Sequence, residues 1–276
     1  MEIGFYVKDS QHLELAMEQA VYPKWILFGD YGCYKRVPEL GKLKEAASGI
    51  DVIFHYISPK VNSALMEYEY KKVMSFLEQG ISVSINDLGL LYKMQREVEF
   101  TSPVYLGRLL TKSVNRWVWG KLHISRESEP VKEYFSQNNF FQQEKMELFR
   151  KWNIKGIETT AFPEEEKSLA GIKEQGFRII GFADQTIAAV ARACPIARDR
   201  GITVKDNECS SCCMNQEIKI EPANEQQKVR YPELKLEGTV LMKTIKPSFT
   251  WDGYETIVFS NWNEETIAAV QKIQEG

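Results

Sequence analysis

The sequence predicts an α/β fold in which eight βα units close into one TIM-barrel-like (β/α)8 domain spanning residues 1–276. Three observations carry that expectation. The chain has 276 residues, near the size at which such a barrel closes. Short apolar runs alternate with stretches of helical period at a regular pace, the mark of a parallel sheet built from βα units. Polar residues recur where the apolar runs end, and the C-terminal ends of the strands are where a barrel carries its chemistry.

Seven runs read as strands in order: Ile3 to Val7, Trp25 to Gly29, Val52 to Ile57, Ile81 to Ile85, Val104 to Gly107, Ile154 to Thr159 and Arg178 to Phe182. Each precedes an amphipathic stretch expected to be helical: Gln11 to Ala20, Glu39 to Ala47, Asn62 to Glu78, Gly89 to Glu97, Glu129 to Lys151, Pro163 to Gln175 and Gln185 to Ala193. Pro163 with three glutamates after it suits a helix start, where the dipole favours negative charge. Beyond Ala193 the rhythm breaks. A cysteine-bearing loop and strand-like pieces at Glu217 to Glu221 and Gly238 to Ile245 form an insertion over residues 194–245, with a polar connection from Glu221 to Glu233. Thr256 to Ser260 and a helix from Glu264 then supply the eighth unit.

Apolar residues at 43% and charged residues at 26% describe a globular chain, not a disordered or disulfide-stapled one. A net charge of -3 gives no electrostatic case for a phosphate-neutralising protein, though a local basic groove stays compatible with it. No apolar run approaches the ~18 residues needed to cross a bilayer. The opening MEIGFYVKDS has no basic start, apolar run or cleavage site, so the expected location is cytoplasmic, with no membrane partner.

In a reducing compartment five cysteines are read for metal or catalysis before disulfides. Cys33 follows the second strand in GDYGCYKR, Cys194 lies in RACPIARDRG, and Cys209, Cys212 and Cys213 crowd NECSSCCMN. A lone cysteine is usually a small buried hydrophobe. Three within five residues of a polar loop fit thiolate ligation better, and softness admits either zinc or an iron–sulfur cluster. Cys209 and Cys212 would make a zinc knuckle, but a second knuckle is missing. Only His12, His55 and His123 are present and none neighbours a cysteine, which argues against a Cys–His nucleophile.

Asp30, His55, Asn86, Asp87, Arg108, Glu158 and Asp184 stand at or near strand ends. Asp87 and Asp184 suit helix caps, since each directly precedes a helical stretch. Arg108 and Arg198 carry the fork that grips a carboxylate, and Asn86 and Glu158 would contact substrate beside them. Trp117 and Trp119 would stack on a planar ring or nucleobase, or else half-bury in a strand.

GDYGCYKR, NDLGLL after the fourth strand, and RACPIARDRG followed by CSSCC together resemble the collagenase-like U-thirty-two peptidase family, in order over roughly the first 215 residues. The likeness is greatest to its iron–sulfur members of oxygen-independent hydroxylation, as in ubiquinone biosynthesis. It implies a 4Fe-4S cluster on Cys33, Cys194, Cys209 and Cys213, because the family's C-x-x-x-C spacing selects Cys213 over Cys212. It also implies a modification enzyme acting on a quinone precursor or RNA. A paralogous family member as partner in a heterodimer is a further implication. A collagenase-like peptidase, or a non-catalytic iron–sulfur partner subunit, are the alternatives it leaves.

Overall fold

The computed structural model describes residues 1–18, 22–97, 100–112, 125–191, 194–199, 213, 218–220, 234–247 and 251–275. Eight parallel strands close a barrel in the order β1, β12, β7, β6, β5, β4, β3, β2. They are β1 (Glu2–Val7), β2 (Trp25–Gly29), β3 (Ile53–Ile57), β4 (Ser82–Ile85), β5 (Val104–Leu106), β6 (Ile154–Thr160), β7 (Arg178–Phe182) and β12 (Thr256–Phe259). Closure comes from β12, which pairs with β1 through Glu2 opposite Thr256 and with β7 through Ile180 opposite Thr256.

Alternation along each strand sorts the core into two layers. Ile3, Phe5, Ile26, Phe28, Val83, Ile85, Val104, Leu106 and Ile257 point outward. They pack on helix residues such as Leu13, Leu43, Val73, Leu91, Phe149, Leu169 and Val270. Tyr6, Trp25, Leu27, Ile57, Tyr105, Ile180, Phe182 and Val258 fill the lumen. The helices are α1 (Ser10–Glu18), α2 (Leu40–Ala46), α3 (Met66–Glu78), α4 (Leu88–Glu97), α5 (Glu129–Ser136), α6 (Gln143–Lys151), α7 (Glu166–Glu174), α8 (Pro195–Asp199) and α9 (Glu264–Glu275). Among the described residues no helix is long and apolar enough to cross a membrane.

Two expectations need correction, and one strand was not foreseen. Gln185 to Ala193 is not a helix: Gln185–Val190 is a strand, β8, antiparallel to β11 (Val240–Thr244). Its Ala-Ala-Val-Ala run favours a helix locally, but Thr186, Ile187 and Val190 are β-branched and the partner strand decides. Glu129 to Lys151 is two helices, because Asn138 breaks it. The Asn138 side-chain oxygen accepts the Phe140 N–H at 3.0 Å while its amide donates to Glu165 at 2.9 Å, offering the backbone an alternative to helix. The unforeseen strand is Leu234–Glu237, β10, which pairs with both β11 and β9 (Ile218–Ile220). The order β8, β11, β10, β9 makes a second sheet, antiparallel throughout.

That second sheet lies over one end of the lumen. Ile187, Val240 and Met242 from it are buried in one cluster with Tyr6, Tyr31, Ile57 and Phe182 from the barrel. Because β8 starts directly after β7, the covered end is the C-terminal one, where the loops carry Asp30, Cys33 and Arg108.

Candidate functional site

Two polar constellations occupy that end. The first is built on the loop after β2. Asp30 Oδ1 accepts the backbone N–H groups of Gly32 at 2.8 Å and Cys33 at 2.7 Å, folding the loop into a tight Asx turn that holds Cys33. A single 3₁₀ turn, Tyr34–Arg36, follows, with the Arg36 N–H on the Cys33 carbonyl at 3.2 Å. Arg36 folds back so that its Nε donates to Asp30 Oδ2 at 3.1 Å and its Nη1 to the Cys213 carbonyl at 2.6 Å, with Nη2 3.9 Å from Glu237 Oε2. Lys8 completes the group from the end of β1 by donating to Glu237 Oε1 at 2.8 Å.

Glycines let the sheet reach this loop. Gly238, in the β10–β11 turn, has φ +60°, and a Cβ there would lie 2.8 Å from Arg36 Cδ and 3.5 Å from Cys33 Cβ. A Cβ on Gly32 would strike Thr239 Oγ1 at 1.9 Å. The loop and the turn are therefore closely packed, and Arg36 brings the Cys213 carbonyl, far away in sequence, to the Cys33 loop. Burial first, then the charge of Asp30 and the proximity of Cys213, push the Cys33 thiol up to about 11. Such a thiol keeps its proton at neutral pH and is therefore not an activated nucleophile.

The second constellation lies within the lumen. Arg108, 1% exposed, donates from Nε to the Tyr31 hydroxyl at 2.9 Å and from Nη1 to the Gln185 carbonyl at 3.0 Å, with its guanidinium 3.6 Å from the Phe182 ring centroid. Its Nη2 is buried with no hydrogen-bond partner among the described residues. Glu158 has no exposed surface. Its Oε1 is 3.4 Å from His55 Nε2 without making a hydrogen bond, and among the described residues neither side-chain oxygen has a hydrogen-bond partner. His55 is itself held at both ring nitrogens, by Ser82 Oγ at 2.8 Å and Ser84 Oγ at 2.7 Å. An orphan donor and two orphan acceptors in one lumen are what a polar ligand would satisfy.

The remaining predicted residues are placed differently. Asn86 is 2% exposed, and its amide is committed to the Ser58 carbonyl at 2.9 Å and the Leu109 N–H at 3.0 Å, so it positions loops. Arg198 is exposed on α8, whereas Arg108 is buried in the lumen. Asp87 caps α4 as expected, accepting from Gly89 at 2.8 Å. Asp184 caps no helix; its Oδ2 takes the N–H groups of Ser260 at 2.8 Å and Asn261 at 2.6 Å and ties β12 to β7. Cys194 opens α8, its sulfur accepting the Ala197 N–H at 3.4 Å. Cys209, Cys212, Trp117, Trp119 and His123 lie outside the described residues.

Lys8, Tyr31, Arg36 and Glu237 were not singled out from sequence as site residues. Tyr31 and Arg36 carried a signal, their place in the same short motif as Asp30 and Cys33.

Among the described residues no three His, Cys, Asp or Glu side chains converge to hold a metal ion. For a four-thiolate cluster, the donor chemistry of the Cys33–Cys213 junction fits as one half of the set, with Cys209 lying outside the described residues and Cys194 beyond the pair. A groove of about 360 Å³ lies on the outer face between α5 and α7, lined by Glu133, Phe141, Glu164, Lys167 and Gly171, and shares no residue with either constellation. Fold and site together define a parallel eight-stranded barrel whose C-terminal end is covered by a cysteine-associated antiparallel sheet. No protein-family model matches the chain, and no curated protein matches its sequence.

Proposed function

We propose that this chain binds a 4Fe-4S cluster on Cys33, Cys194, Cys209 and Cys213. In this reading it serves as a cytoplasmic component of an oxygen-independent hydroxylation or related modification enzyme of the U-thirty-two kind, acting on a quinone precursor or RNA. The observation that carries the reading is the junction of Cys33 with Cys213. Cys33, partly buried, and Cys213, buried, are far apart in sequence yet stand beside the same residue, Arg36, which donates to the Cys213 carbonyl at 2.6 Å. When bound, a cluster of this type supplies one-electron chemistry. The chain's own part is to hold substrate: Arg108 Nη2 offers a donor to an anionic group and Glu158 two acceptors to a hydroxyl or amine.

A second reading, a non-catalytic iron–sulfur partner of a paralogous enzyme, is favoured by the burial of Ile187, Val240 and Met242 over the lumen. The peptidase reading draws no support from Cys33, whose thiol is pushed up beside Asp30.

The experiment is anaerobic purification with metal and sulfide analysis, followed by single Cys212→Ser and Cys213→Ser variants. The true fourth ligand is the one whose loss releases iron. Assaying the chain alone and with a co-encoded paralogue then separates enzyme from partner. Activity of the chain alone upholds the first role, and activity only with the paralogue upholds the second.

A further inference from the structure

The three nitrogens of Arg36 point to three different segments of the chain. Nε reaches Asp30 on the Cys33 loop at 3.1 Å, Nη1 reaches the Cys213 carbonyl at 2.6 Å, and Nη2 faces Glu237 at the end of β10 at 3.9 Å. The side chain is 7% exposed, and Asp30 and Glu237 are buried with it. A guanidinium is the side chain that can satisfy three acceptors in fixed directions, whereas an ammonium concentrates its donors on one nitrogen. The formal charges of Lys8 and Arg36 cancel those of Asp30 and Glu237, so the group forms a balanced buried network. Such a network is robust while complete and costly once a member is removed.

We infer that Arg36 is the positioning residue that docks the Cys213 segment and the covering sheet onto the Cys33 loop, setting the two thiols in register. It does so through the fork geometry of its guanidinium, not through its charge alone. The docking is made by contacts among the chain's own residues. Its consequence for iron rests on the cluster reading proposed above.

The test is made on the full chain in two arms. In the first, Cys194, Cys209 and Cys212 are replaced by serine, and the metal-free protein is treated with a short bis-maleimide that joins Cys33 to Cys213. The cross-link is read as one reagent per chain by intact mass. Arg36→Gln and Arg36→Lys are each expected to slow it about tenfold, the effect of losing a charge-assisted hydrogen bond, with the far-UV circular dichroism unchanged. Wild-type cross-linking in Arg36→Gln overturns the inference. Wild-type cross-linking in Arg36→Lys alone overturns the fork in favour of charge. Should Arg36→Gln fail to fold, Arg36→Lys carries the comparison.

In the second arm all five cysteines are kept, and both variants are expected to lose most of the iron and sulfide that the unaltered chain holds. If the unaltered chain holds no iron but its thiols cross-link in an Arg36-dependent way, the cluster reading fails and the docking role stands.

Discussion

Glu69 sits on α3 with no exposed surface, accepting the Tyr56 hydroxyl at 2.8 Å through one oxygen, while the other has no hydrogen-bond partner among the described residues. Burial raises its pKa above the ordinary 4.5, against the Tyr56 bond and the nearby charge of Lys72. A folded-state pKa above the unfolded one means the folded chain holds the proton longer. The stability this adds is complete below the unfolded pKa and is lost as pH rises through the folded one. Glu69→Gln keeps an acceptor for Tyr56 and removes the titration. Between about pH 5 and about pH 8 the urea midpoint should therefore fall less in the variant than in the wild type; equal falls would count against the assignment. Arg108 was legible from sequence as a strand-end residue, and its placement gives a second expectation. Arg108→Ala empties the space between Phe182 and Tyr31 and should cost about 3 kcal/mol in chemical denaturation, as large buried side chains do. A loss under about 0.5 kcal/mol, typical of a surface site, would contradict that burial. The orphan oxygens of Glu158 were not legible, because a sequence shows which residue ends a strand and not whether its partner arrives.

The β/α elements of the barrel could be read because one periodicity sets each of them: strands that alternate between lumen and helix layer, and helices with one apolar face. The second sheet could not be read in the same way. Its strands are short, β9 exposes Ile218 and Ile220, and β8 carries the alanines of a helix; what makes β8 a strand is pairing with β11, some fifty residues on. The break between α5 and α6 was equally hidden, since Asn138 acts through Glu165 and Ser168 from a later part of the chain. The attachment of the sheet to the barrel depends on Gly32, which faces Thr239 and Val240. Gly32→Ala should push the β10–β11 turn away while sparing the barrel. Hydrogen exchange at the β10 and β11 amides should quicken about tenfold, with the amides of β2 and β3 unchanged. Uniform acceleration across both sheets would show that the two elements unfold as one.

At the scale of the whole molecule, the barrel brings residues from the second unit and from the end of the chain to one place. Its last strand, β12, closes between β1 and β7, and the sheet inserted before it carries Glu237 and Gly238 to the Cys33 loop. The spacing of the cysteines suggested a soft-metal site, and the fold adds that Arg36 ties Cys213 to the Cys33 loop. The proposed cluster rests on a resemblance in short motifs, so the central claim is tested most directly by composition. The full chain, purified without oxygen, should contain about four irons and four sulfides, with the broad visible absorption of a cluster that bleaches on reduction. Stoichiometric zinc without sulfide would contradict it and return Cys209 and Cys212 to the zinc knuckle their spacing allows.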